Sequence, residues 1–132
     1  MRPGLVLPRS GHDPAEVARL AESLGYRSVW AGELWGPSAP VVLADVARAT
    51  ETVGLGTSVL NVFSRSPAVL ASTAATLDRL AGGRLTLGLG TSTPKAVGDL
   101  HGMAFERPVR RADEAIELVR RLLGDAEAVS YD

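Results

Sequence analysis

LGTSVLNVFSRSP, residues 55–67, joins a short apolar run to a polar loop and then to a Ser-Pro pair that opens a helix. A strand that delivers Asn61, Ser64 and Arg65 to the start of a helix is how α/β enzymes place polar groups at the carboxyl ends of parallel strands. The same order of strand, loop and helix recurs on both sides of this stretch. This repeated order predicts an α/β fold built from successive β/α units.

Four such units follow one another along the 132 residues. Each begins with a compact apolar run and continues with apolar residues at helical spacing. The predicted strands are Gly4–Leu7, Ser28–Ala31, Leu55–Val59 and Leu85–Leu89. Connections of this kind place successive strands parallel to one another and bury them on both faces.

Local signals mark the ends of the helices. Asp13 before Pro14 and Ser66 before Pro67 are cap and first-turn pairs, and Ser38 is a third candidate cap. Gly25 is placed to end the first helix in the left-handed conformation. The buried face predicted for that helix consists of Val17, Leu20, Ala21 and Leu24.

Two architectures are compatible with four β/α units. A doubly wound sheet usually carries a glycine fingerprint at its first strand-to-helix turn, and the turn here, PRSGHDPAE at residues 8–16, lacks it. A closed barrel needs about eight units in roughly 250 residues. We therefore predict a (β/α)4 half of a TIM barrel, a single partial domain over residues 1–132. Its open edges predict either an N-terminal fragment or a half-barrel completed by association.

Composition excludes several classes of function. A net charge of -1 from interspersed acids and bases leaves no basic face for nucleic acid. The chain has no cysteine, and His12 and His101 stand far apart, so we predict no metal site. The apolar run near the N-terminus is too short for a signal or a membrane span, which predicts a cytoplasmic protein without a membrane partner.

Polar residues that follow the predicted strands are the candidates for chemistry. They are Arg9 and Ser10, Glu33 and Trp35, Asn61, Ser64 and Arg65, and Thr91–Thr93. The set contains no pair of nucleophile and base of the hydrolase kind. An enzyme built this way would take its reactivity from a cofactor.

Several segments in this order resemble the luciferase-like monooxygenase superfamily of flavin- and coenzyme F420-dependent TIM-barrel oxidoreductases, and within it the methylenetetrahydromethanopterin reductase-like proteins. The segments are SVWAGELWG at 28–36, the run from residue 55 to 84, LTLGLGTSTP at 85–94 and LHGMAFERPVRRADEAIELVR at 100–120. The likeness covers essentially the whole chain. Because the family implies about eight β/α units, this chain resembles its N-terminal half.

The resemblance implies a cofactor site at the third strand. It places a non-proline cis peptide bond beneath the ring, here between Ser58 and Val59, and it places Asn61 and Ser64 beside the ring. Thr91 and Ser92 after the fourth strand are implied to donate to a ring oxygen or to the substrate. Arg65 could line the same pocket. The alternative for Asn61, Ser64 and Arg65 is that all three shape the turn into the Ser66 cap.

The resemblance also implies an acidic catalytic residue after the second strand, here Glu33. The family often has a histidine next, where this chain has Leu34. A solvated or salt-bridged carboxylate is the alternative for Glu33. His101 lies in a loop, where a histidine is more often solvated than functional.

The function implied is hydride transfer or monooxygenation of a small-molecule substrate at reduced FMN or coenzyme F420. Two alternatives stay open from the sequence: a non-catalytic half-barrel that closes as a homodimer, or a truncated chain without activity of its own.

Overall fold

A computed structural model describes residues 3–124. Strands and helices alternate along the chain, as the repeated pattern predicts. The strands are β1 (Gly4–Val6), β2 (Ser28–Ala31), β3 (Gly54–Thr57), β4 (Leu60–Asn61), β5 (Leu85–Thr86) and β6 (Leu89–Gly90). The helices are α1 (Pro14–Ser23), α2 (Ala39–Ala49), α3 (Pro67–Leu80) and α4 (Pro108–Leu123), with a π-helical turn at Ala96–Leu100.

All strand pairs in the described residues are parallel. The main sheet has the order β1-β2-β3-β5, and a second, two-stranded sheet pairs β4 with β6. Strand order thus follows chain order, which is the arrangement of a barrel and not of a doubly wound sheet. The α/β fold predicted from the sequence, with parallel strands and outer helices consistent with half of a TIM barrel, is confirmed.

The prediction of continuous strands over Leu55–Val59 and Leu85–Leu89 is wrong, because β3 ends at Thr57 before β4 begins at Leu60, and β5 ends at Thr86 before β6 begins at Leu89. At the break the Thr57 hydroxyl replaces backbone pairing: it donates to the carbonyl of Gly88 and accepts from the N–H of Gly88, both at 2.8 Å. Pairing then resumes with the N–H of Leu60 donating to the Gly88 carbonyl at 2.9 Å.

Helices pack side by side against one face of the sheet, α1 beside α2, α2 beside α3 and α3 beside α4. In α1 the buried residues are Ala15, Ala18 and Ala21, whereas Leu20 and Leu24 are exposed. The predicted buried face is therefore wrong at Leu20 and Leu24, whereas Ala21 is buried and Val17 is half-buried against the core. The alanine face of α1 brings the helix backbone close to its neighbours, which larger side chains would prevent.

Two of the three predicted caps are confirmed. The N–H of Ala15 donates to Oδ1 of Asp13 at 2.9 Å, and the N–H of Val69 donates to the hydroxyl of Ser66 at 3.3 Å. Ser38 precedes α2 but its side chain makes no cap hydrogen bond. Gly25 has a φ of 78°, the left-handed conformation predicted for it.

The opposite face of the sheet carries no helix among residues 3–124. Trp30 lies on it, because its neighbours Val29 and Ala31 point into the core. Its indole N–H donates to the Ser28 hydroxyl at 2.9 Å, and a Cβ at Gly56 would collide with its six-membered ring. Val6 on the edge strand β1 is 68% exposed.

Candidate functional site

Two cavities open at the carboxyl ends of the strands. The larger, about 600 Å³, lies above the break between β3 and β4 and is called here the bulge cavity; its wall includes Val6, Leu7, Pro8, Arg9, Gly32, Ser58, Val59 and Thr93. The other, about 490 Å³, is called the rim cavity and includes Trp35, Gly36, Ser38, Ser64, Arg65, Leu100 and His101. The walls of both include Glu33, Leu34, Asn61 and Ser92. The side chains that follow β2, β4 and β6 thus converge on one site.

The peptide bond between Ser58 and Val59 is cis, as the family resemblance predicts. Neighbouring strands leave room for this segment: a Cβ at Gly32 would come within 2.8 Å of the Ser58 carbonyl oxygen, and one at Gly90 within 2.5 Å of Cγ2 of Val59. Ser58 is tied to β2 through its N–H, which donates to the Ala31 carbonyl at 2.8 Å. Val59 forms part of the cavity wall.

Asn61 presents a buried donor to both cavities. Its Oδ1 accepts a hydrogen bond from the N–H of Phe63 at 2.8 Å, which fixes the orientation of the amide because a backbone N–H can only donate. The residue is 5% exposed, and within residues 3–124 its Nδ2 has no hydrogen-bond partner. A buried donor without a partner is costly, so this amide is available to a water molecule or a ligand that offers an acceptor.

Glu33 is held by an arginine that the sequence analysis did not pair with it. Nη1 of Arg65 donates to Oε2 at 2.6 Å and Nη2 to Oε1 at 2.7 Å. Oε1 also accepts from the N–H of Ala39, the first residue of α2, at 2.9 Å. The carboxylate therefore supplies the cap that Ser38 does not, and it fixes Arg65 in the wall of the rim cavity.

The remaining predicted cofactor residues divide into two groups. Ser64 and Ser92 lie in the cavity walls; the Ser64 hydroxyl donates to the Asn61 carbonyl at 3.2 Å, and Ser92 adopts a left-handed φ of 61°. Thr91 is absent from the described walls of both cavities, and its hydroxyl donates to the Ser92 carbonyl at 3.4 Å. The prediction for Thr91 has no structural support from cavity geometry.

An aromatic stack positions the loop that carries His101. The rings of Phe63 and Phe105 stack with centroids 5.0 Å apart, and the guanidinium of Arg111 lies 4.7 Å from the Phe63 centroid. This contact holds the loop before α4 against the segment that follows Asn61, and His101 joins the rim cavity. No local sequence signal indicates the stack, since its members are far apart in the chain.

Metal ligation finds no geometric basis in the described part of the chain. Residues 3–124 contain no group of three or more histidine, aspartate or glutamate side chains that could hold a metal ion.

None of the helices in residues 3–124 is both long enough and apolar enough to cross a membrane.

Parallel strands in chain order, helices on one face and a polar cavity at the strand ends define a β/α-barrel type of protein with its site at the carboxyl edge. The chain belongs to the luciferase-like monooxygenase family, whose model matches residues 3–132.

Two curated relatives show how similar this chain is to known proteins and how much of their length it covers. A provisionally named coenzyme F420-dependent oxidoreductase of Mycobacterium tuberculosis is 40% identical over 126 residues, 92% of this chain and 36% of that protein. A 5,10-methylenetetrahydromethanopterin reductase of Archaeoglobus fulgidus is 34% identical over 115 residues, 86% of this chain and 34% of that protein. This chain therefore spans about a third of the length of these curated relatives.

The fold agrees with the solved structure of a monooxygenase. The crystal structure of a monooxygenase from Streptomyces bottropensis superposes with a TM-score of 0.89 and 26% identity, over 99% of this chain and 45% of that one.

Proposed function

We propose that this chain supplies one wall of the site of an oxidoreductase that uses reduced coenzyme F420 or FMN to transfer a hydride to, or to oxygenate, a small-molecule substrate. The observation that carries the proposal is the Nδ2 donor of Asn61, buried and without a partner in the described residues. Flavin and deazaflavin rings carry carbonyl oxygens along one edge, and such an oxygen is the acceptor that this amide lacks.

The residues present fit a planar ring. Ser58 and Val59 form one surface of the bulge cavity, and the glycines at positions 32 and 90 leave room for these two residues beside the neighbouring strands. In the proposal Asn61 and Ser92 hydrogen-bond the polar edge of the ring, and Ser64 supports the backbone of Asn61. When bound, the cofactor supplies the hydride or activates oxygen. The side chains bind and orient it, and the apolar wall excludes water.

Glu33 in this proposal is a positioning residue. Both carboxylate oxygens are engaged, by Arg65 and by the N-terminus of α2, which keeps the shared wall of the two cavities in place. A catalytic role for Glu33 in proton transfer stays a prediction, as does a cofactor contact from Thr91.

The test is a fluorescence titration of the purified chain with FMN and with coenzyme F420, each oxidised and reduced. Asn61→Asp is the informative variant, since its carboxylate can still accept from the Phe63 N–H but cannot donate to a ring oxygen. We expect Asn61→Asp to weaken binding by at least about tenfold, the value of one hydrogen bond in a desolvated site.

Ser72→Ala, on the outer surface of α3, serves as the control and should bind like the parent chain. Thermal unfolding of each variant establishes that it is folded. Binding of neither cofactor, or equal binding by Asn61→Asp, contradicts the proposal.

A second candidate function, self-assembly, is favoured by the open edges of the main sheet. Among residues 3–124, β1 and β5 each have one strand neighbour. A two-fold axis along a barrel axis would pair β1 of one copy with β5 of another while keeping all strands parallel. Two copies would supply the eight strands of a filled barrel. Light scattering coupled to size-exclusion chromatography gives the mass in solution. A mass of two chains supports closure, and a monomer at all concentrations contradicts it.

A further inference from the structure

The wall of the bulge cavity contains a hydrogen-bond donor, Nδ2 of Asn61, that has no acceptor within residues 3–124. Glu33 is the one carboxylate in the described wall, and both of its oxygens are already occupied by Arg65 and Ala39. Asn61 turns its acceptor to Phe63 and leaves its donor without a partner in the described residues. The carboxylate in the wall is therefore already occupied as an acceptor, whereas the amide donor of Asn61 is available to a ligand.

Arg9 adds an unpaired positive charge to the same wall. It follows β1 and lies in the wall of the bulge cavity. Its aliphatic stem approaches the loop after β2, where a Cβ built on Gly36 would be 3.5 Å from Cδ of Arg9. No ion pair within residues 3–124 includes Arg9. Glu33 is paired with Arg65, so among the wall residues of the bulge cavity Arg9 carries the charge that no ion pair within residues 3–124 neutralises.

We propose that the bulge cavity takes a substrate with an oxyanion group, a carboxylate or a phosphate, and that Arg9 binds this group. The inference rests on the proposed function, since it names the substrate class of that same site. A guanidinium pairs with carboxylate and phosphate through two parallel hydrogen bonds, which gives it both charge and orientation. Val6, Leu7 and Pro8 beside it offer an apolar surface to the body of the substrate.

The experiment measures how tightly the chain binds small probe molecules in the absence of cofactor. Benzoate, phenyl phosphate and the neutral benzamide are titrated separately into the ¹⁵N-labelled chain, and amide shift changes give each dissociation constant. We expect at least one of the two anions to bind about tenfold or more tightly than benzamide, as a charge-assisted pair allows. Arg9→Gln should lose this preference, and Arg9→Lys should retain part of it.

Arg19→Gln is the matched control, because Arg19 is an exposed arginine on the outer helix α1. It should keep the preference of the parent chain. Because Arg9 is itself exposed, its substitution leaves the core intact, which thermal unfolding verifies. Equal or absent binding of anions and benzamide by the parent chain overturns the inference, as does a preference that survives in Arg9→Gln.

A cofactor titration on the same sample separates the two proposals. Cofactor binding without anion preference refutes the substrate class and leaves the proposed function standing. Anion preference that depends on Arg9, in a chain that binds neither FMN nor coenzyme F420, supports the anion site and refutes the proposed function.

Discussion

At the scale of single residues, Glu33 and Arg65 form the contact on which both cavity walls depend. Their side chains are 15% and 20% exposed, and they meet through two short hydrogen bonds. Pairs of this geometry in partly desolvated surroundings contribute more than ordinary surface ion pairs. Glu33 also replaces a side-chain cap at the start of α2, so one carboxylate serves two elements.

We expect Glu33→Ala to lower the free energy of unfolding by about 2 kcal/mol, since it leaves the Ala39 N–H and the Arg65 guanidinium without their acceptor. A double-mutant cycle with Arg65→Ala should give a coupling energy of about 1 kcal/mol or more in urea denaturation. Ser38→Ala is the control: although it removes the residue at the N-cap position, it should cost less than the usual value of about 1 kcal/mol. If the losses of stability from Glu33→Ala and Arg65→Ala simply add in the double mutant, the two residues are not coupled and the prediction is wrong.

At the scale of elements, Arg84 connects the end of α2 to β3. Its guanidinium donates to the carbonyls of Ala47, Thr50 and Val53 at 2.8 to 3.1 Å, and to the Thr50 hydroxyl at 3.0 Å. The carbonyls at the end of a helix have no partner within that helix. Here one side chain binds the carbonyl of Ala47 in the last turn, that of the C-cap residue Thr50, and that of Val53 in the loop beyond.

Arg84→Lys should lower the stability by about 2 to 3 kcal/mol, because an ammonium cannot reach these acceptors from one planar group. The measurement is the urea midpoint, with Arg79→Lys on the exposed end of α3 as the control. An unchanged midpoint for Arg84→Lys would show that water replaces the guanidinium without cost.

Glu22 makes a similar connection from the end of α1 to the loop before β3. Its carboxylate accepts from the N–H groups of Glu51, Thr52 and Val53 and from the Thr52 hydroxyl, at 2.5 to 3.0 Å for Oε1. Burial raises the pKa of Glu22, but these hydrogen bonds outweigh it and hold the pKa below its usual value of 4.5. The carboxylate form is therefore the one that stabilises the fold.

Because the folded state lowers this pKa, Glu22 contributes its stability above pH 4.5 and loses it as the pH falls through the folded value. Glu22→Gln should be less stable than the parent chain at pH 7, and the difference should shrink below pH 4.5. Urea denaturation at several pH values measures this. Thr52→Ala removes the hydroxyl but keeps the three N–H donors, so its effect should be smaller; a pH-independent difference for Glu22→Gln would refute the linkage.

At the scale of the whole molecule, self-assembly makes a specific prediction for Val6. This side chain is exposed in a single copy but would enter the interior of a closed eight-stranded barrel. Val6→Lys should leave the folded monomer intact and abolish the dimer, because a closed barrel would bury the ammonium. Leu24→Lys, at a position of nearly equal exposure on the helical side, should leave the mass unchanged.

Local sequence signals were sufficient to predict the β/α order of residues 3–124. The Asp13 and Ser66 caps and the left-handed Gly25 depend on neighbouring residues, and family resemblance located the cis bond before Val59. The Glu33–Arg65 pair was beyond this reasoning, since its members are 32 positions apart and nothing local links them. The same limit applies to α1, where packing between elements selects small residues such as Ala18 for burial.

Trp30 on the open face of the sheet gives the molecule a built-in spectroscopic reporter. Trp30 and Trp35 are the two tryptophans of the chain, one on the inner sheet face and one in the wall of the rim cavity. In a Trp35→Phe background all indole emission comes from Trp30. A blue shift of that emission would then register the covering of the open face of the sheet. In the converse Trp30→Phe background, quenching of Trp35 would register occupancy of the rim cavity.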